Sequence, residues 1–105
     1  MGLFRRKPPL TEEKLKHNIL TYSMTGERQS FEEYTHEYLS RFGKTADLSK
    51  PLSETDQRTL MRCAIMAGSK RSIKRLKQLG AKPTEEDRSN AALIPSLSKL
   101  LEGTD

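Results

Sequence analysis

Between Lys70 and Lys77 the chain carries five cations, Lys70, Arg71, Lys74, Arg75 and Lys77, and no carboxylate. Such a cluster attracts phosphates, anionic lipid or an acidic protein surface, and charge alone does not choose among the three. A nucleic-acid interface is one expectation, since the cations would meet phosphates while Ile73, Leu76 and Leu79 hold the helix to a core. Two features weigh against it. The aromatic residues lie in another segment, so no stacking platform accompanies the cations, and Gln78 is the only amide side chain near them for reading base edges. An acidic protein partner would use the same face, and it is the leading reading.

Catalytic chemistry has less to stand on. His17, His36 and Cys63 are far apart in sequence, without the close His or Cys spacing of a metal site. A Cys-His nucleophilic pair would need them to meet in space. Cys63, however, falls at a packed position of an apolar helix, with no cationic helix start to activate it. Surface histidines and a core thiol are expected. Carboxylates gather at Glu12 and Glu13, at Glu32 and Glu33, and at Glu85 to Asp87, each in the first turn of an expected helix, where they complement the macrodipole. The glycines stand singly at helix ends and form no phosphate-cradling loop. No enzyme activity, metal or cofactor is expected.

The elements that would position these residues are all helical. Thr11 caps a first helix with Glu12 and Glu13 in its opening turn and Leu15, Ile19 and Tyr22 on its apolar face, stopping near Gly26. Ser30 and Glu33 have capping-box spacing ahead of Phe31, Tyr34, Tyr38 and Phe42, a helical stripe read as core, with Gly43 as its C-cap. Residues 44–52 lack periodicity and read as a connection. A third helix is expected to start at Ser53, to bury Leu60, Met61, Ala64 and Ile65, and to end at Gly68; a fourth follows Ser69 and closes at Gly80. Pro83 and Thr84 open another helix, and Pro95 breaks it before a last one carrying Leu97, Leu100 and Leu101. The chain thus reads as three helix pairs hinged at Gly26, Gly68 and the region of Pro95. Residues 1–10 form a flexible basic leader, 11–102 a single all-helical domain, and 103–105 a frayed tail.

The segment from Asp56 to Asp87 resembles a single ankyrin repeat. Thr59, Met61, Ala64, Ile65, Gly68, Ile73, Leu76, Gly80 and Ala81 stand at the matching places, while Leu60 and Arg62 replace the Pro and His of that family's Thr-Pro-Leu-His run. The resemblance implies a small stack of helix-turn-helix hairpins with an ankyrin-like central hairpin, working by binding another protein.

Length and composition set the bounds. At 105 residues, with 33% hydrophobic and 31% charged residues and no Trp, the chain supports one small domain with a modest core. The net charge of +5 comes mainly from Arg5, Arg6 and Lys7 and from the basic helix. One cysteine excludes an internal disulfide and favours a reducing compartment, so a cytoplasmic location is expected. No apolar run approaches the roughly 20 residues that span a bilayer, and the N-terminus lacks a secretory core. The leader is similar to a lipidated N-terminus, but Arg6 stands where that pattern needs Ser or Thr, leaving only weak peripheral membrane contact through Leu3, Phe4, Arg5, Arg6 and Lys7. The combined expectation is a small interaction module that binds an acidic protein surface through Lys70, Arg71, Lys74, Arg75 and Lys77 and the turn after Gly43 or Gly80. Self-association into a homodimer is a second way to complete so short an array, and a nucleic-acid-binding regulator is the alternative function.

Overall fold

A computed structural model describes residues 10–102. The leader with Leu3, Phe4, Arg5, Arg6 and Lys7, and the tail 103–105, lie outside the described residues. Six helices and no strand occur among the described residues: α1 Glu12–Thr25, α2 Arg28–Phe42, α3 Leu60–Ala67, α4 Lys70–Gln78, α5 Glu85–Ala91 and α6 Pro95–Glu102. They pair as hairpins α1–α2, α3–α4 and α5–α6. The hairpins stack in two layers, with α3 between α1 and α5 and α4 between α2 and α6.

Side-chain bonds fix the helix directions. Arg75 of α4 reaches His36 and Ser40 of α2, while Ser69, just before α4, reaches Glu32. The N-terminal halves of α2 and α4 therefore face each other, and so do their later turns. Arg62 in the first turn of α3 pairs with Glu86 and Asp87 in the first turn of α5, and Lys77 near the end of α4 bonds the Leu100 carbonyl near the end of α6. Helices within a layer are thus parallel. All three hairpin turns lie at one end of the stack, and the connections 43–59 and 79–84 lie at the other.

Capping residues set the helix starts. Thr11, Thr59, Ser69 and Thr84 each accept from a backbone N–H three residues on, and Thr84 with Asp87 completes a capping box. Gly68, at φ 70°, lets the chain turn directly from α3 into α4. There the Ser69 N–H bonds the Ala64 carbonyl and the Gly68 N–H bonds that of Ile65, a Schellman pattern. Pro95 is the first residue of α6, where its missing N–H costs nothing.

Two expected boundaries are corrected. Ser30 and Glu33 form no capping box: Gly26 at φ 79° reverses the chain at once, the Arg28 N–H bonds the Gly26 carbonyl at 3.0 Å, and α2 is already under way at Ser30. Glu32 and Glu33 accordingly lie past the first turn, so the macrodipole does not account for them. Ser53 does not start α3. The Ser53 hydroxyl accepts from the Thr55 N–H and the Asp56 carboxylate from the Arg58 N–H, local bonds that compete with helix. The Leu52 N–H then closes the loop on the Arg58 carbonyl at 3.0 Å, and helix begins only after Thr59.

One apolar cluster joins the hairpins. Leu15, Ile19, Phe31, Leu60, Cys63, Ala64, Ile73 and Leu76 are all buried within it, with Ala91, Leu97 and Leu101 supplied by the third hairpin. The aromatic stripe is core, as its spacing indicated: Phe31 and Tyr38 are buried, and Tyr34 and Phe42 pack partly buried against the cluster. Tyr22 of α1 stacks on Tyr34 with centroids 5.5 Å apart. No helix among the described residues is long and apolar enough to cross a membrane.

Candidate functional site

Burial of Ile73 and Leu76, both at 0% exposure, together with Ser72 sets the orientation of α4 and turns its cations outward. The five cations then divide. Lys70, Arg71 and Lys74 are exposed and make no ion pair or side-chain hydrogen bond among the described residues. Arg75 and Lys77 instead tie α4 to its neighbours. Arg75 places Nη1 2.7 Å from His36 Nδ1 and donates from Nη2 to Ser40 Oγ at 3.3 Å. Because a guanidinium only donates, Nδ1 accepts and the neutral His36 ring carries its proton on Nε2. Lys77 Nζ donates to the Leu100 carbonyl in the last turn of α6, where a cation also complements the helix dipole.

A groove of about 910 Å³ runs between α2 and α4. Arg71, Lys74 and Gln78 form one wall, Gln29, Glu33 and His36 the other, and the buried Thr35, Leu39 and Ser72 lie beneath. Glu32 is held by the Ser69 hydroxyl, which donates to it at 2.6 Å, whereas Glu33 faces the groove without an ion pair among the described residues. The Thr35 hydroxyl is buried with no hydrogen-bond partner among the described residues.

The turns after Gly43 and after Gly80 come together around a second groove of about 570 Å³, lined by Lys44, Asp47 and Leu48 from one and Ala81 and Lys82 from the other. Gln78 borders both grooves, which therefore adjoin. Within the second, the Ser49 hydroxyl and amide hold the Asp47 carboxyl below its ordinary range.

The residues weighed for catalysis stay apart. Cys63 is fully buried in α3, and burial pushes its thiol up to about 11, with Ser23 and Arg58 only partly offsetting the desolvation. His17 is exposed on α1, and His36 is engaged with Arg75. Among the described residues, no group of three His, Cys, Asp or Glu side chains is placed to hold a metal ion.

Sequence reasoning missed the α2 wall, because nothing in the spacing of Glu33, His36 and Ser40 announces that they lie beside α4. It also missed Arg58. That guanidinium donates from Nε to Asp56 Oδ1 at 2.8 Å, pairs with Oδ2 through Nη2, and reaches Ser23 Oγ at 3.4 Å. It also approaches the sulfurs of Met24 and Met66 at 3.2 and 3.6 Å. The available signal was the Asp-x-Arg step directly before a Thr helix cap. Comparison with protein-family models, with curated proteins and with solved structures returns no match for this chain.

Proposed function

We propose that this chain is a helical interaction module that holds an acidic segment of a partner protein along the α2–α4 groove and the adjoining groove between the two turns. The observation that carries the reading is the state of Lys70, Arg71 and Lys74: three exposed cations on one helix, unpaired among the described residues, of which Arg71 and Lys74 line a groove of about 910 Å³. Arg75 and Lys77 serve the reading by fixing α4 in place rather than by meeting the partner. An ankyrin-like central hairpin belongs to the same proposal, supported by the Thr59 cap, the small buried Ala64 and the positive φ of Gly68 and Gly80.

The test is fluorescence anisotropy with a labelled acidic peptide of about a dozen residues, beside duplex and single-stranded nucleic acid, at low and physiological salt. The reading expects the peptide to remain bound at physiological salt and to be lost by at least about tenfold in Arg71→Glu/Lys74→Glu, with thermal stability retained. Nucleic acid that stays bound at physiological salt while the peptide does not would transfer the face to nucleic-acid recognition. Light scattering of the free protein decides whether a homodimer forms.

A further inference from the structure

Four large apolar side chains stand exposed among the described residues: Met24 at 68%, Met66 at 47%, Leu93 at 92% and Ile94 at 42%. All four lie at the end of the stack where the hairpins turn. Exposed apolar residues are ordinary when scattered, but confinement to one end is not scatter. Met24 and Met66 share one patch, since the Arg58 guanidinium touches both sulfurs. They also occupy equivalent places in successive hairpins, each two residues before the turn glycine, Gly26 or Gly68. Leu93 and Ile94 form the turn of the third hairpin, at the same end because α5 runs parallel to α3.

The same end is cationic. Arg28 opens α2, and Lys70 and Arg71 open α4; all three are exposed and make no ion pair among the described residues. A cation in the first turn opposes the helix dipole, so these positions are locally unfavourable for Lys and Arg. At the opposite end α1 and α5 begin with Glu12 and Glu13 and with Glu85 and Glu86, as the dipole prefers. Exposed Glu27 lies beside the first turn, and the Asp56 carboxylate is neutralised by the Arg58 guanidinium that touches Met24 and Met66.

The shape selects the occupant. Neither of the two grooves is lined by any of the four apolar residues, so neither groove receives a partner at this end. Separate apolar tips flanked by cations need a surface that deforms around them and carries negative charge, and the headgroup region of an anionic bilayer has both properties.

We propose that the hairpin-turn end is a peripheral membrane-contact edge, seating Met24, Met66, Leu93 and Ile94 at the headgroup and acyl boundary of an anionic bilayer while Arg28, Lys70 and Arg71 meet the lipid charges. The edge is separate from the α2–α4 groove apart from Arg71, and it stands whether or not an acidic segment binds there. Three cations near an anionic leaflet strengthen binding on the order of 100-fold over a zwitterionic one.

The chain contains no Trp, so Leu93→Trp gives a fluorophore at the edge without background, and Lys82→Trp serves as a control at the opposite end. The full chain is titrated with vesicles of phosphatidylcholine alone and with about one-third phosphatidylserine. The proposal expects a blue shift in Leu93→Trp with anionic vesicles, no shift in Lys82→Trp, and roughly 100-fold weaker binding to zwitterionic vesicles. It also expects Lys70→Glu/Arg71→Glu to bind at least about tenfold less without lowering the thermal midpoint. Absence of vesicle binding overturns it, and so does binding that shifts Lys82→Trp or leaves both fluorophores unchanged, because another part of the chain would then make the contact. A Leu93→Trp response to an acidic amphipathic peptide but not to vesicles would make the edge a protein-docking surface and also overturn it.

Discussion

The Arg58 guanidinium grips both carboxylate oxygens of Asp56 and touches Ser23, Met24 and Met66, so one side chain joins the long connection to α1 and α3. The pairing holds the Asp56 carboxyl down to about 2. A depressed carboxylate contributes stability that is present above its unfolded value, about 3.9, and is lost as pH falls through the folded one. Denaturant unfolding between pH 5 and pH 2 should therefore show a loss over about pH 4 to 2 that is smaller in Asp56→Asn, where only the depressed Asp47 of the two remains. Cys63 gives the opposite limb. Its thiol titrates near 11 when folded and near 8.5 when unfolded, so its contribution falls as pH rises above about 8.5. At neutral pH a thiol reagent should label it slowly in the native protein and rapidly in denaturant. The orphaned Thr35 hydroxyl yields a third expectation: Thr35→Val removes a buried unsatisfied group at nearly constant shape and should raise stability by about 1 kcal/mol, read from the denaturation midpoint.

Helix ends are where residue chemistry becomes architecture. Thr84→Ala removes the acceptor of the α5 capping box and should cost about 1 kcal/mol. Lys70→Glu should raise stability slightly, by about 0.3–1 kcal/mol, read from thermal unfolding, because it replaces a cation opposed to the α4 dipole with a favourable charge. A gain in stability coupled to a loss of anionic binding would mark Lys70 as kept for binding. These ends also explain how far the sequence could be read. The cap at Thr11, the helix openings at Ser69 and Thr84 and the glycines at 26, 68 and 80 are local signals, and most of the hairpin pattern followed from them, whereas the Thr59 cap was not read as one. The expected helix start at Ser53 failed because Ser, Thr and Asp serve turns as readily as caps, and only the Leu52–Arg58 bond, a pairing across the loop, shows which occurs. The basic helix was legible as composition. That Arg75 and Lys77 are clamps was not, since their partners lie on helices distant in sequence.

Across the whole molecule α4, like α3 in the other layer, is a shared element, lying on α2 at one side and on α6 at the other while pairing with α3. Leu76→Ala should accordingly cost about 2–5 kcal/mol and weaken all three hairpins together, measured as one broadened unfolding transition by calorimetry. The hairpins are unequal: the first has helices of 14 and 15 residues, the second 8 and 9, the third 7 and 8. Under mechanical load this taper becomes a sequence of events. A chain drawn apart from its two ends should yield first at the third hairpin, releasing about 20 residues or on the order of 70 Å of extended chain, while α1 and α2 hold. In an optical trap the force trace should therefore step once early and once late, so that the short helices act as a fuse for the long ones.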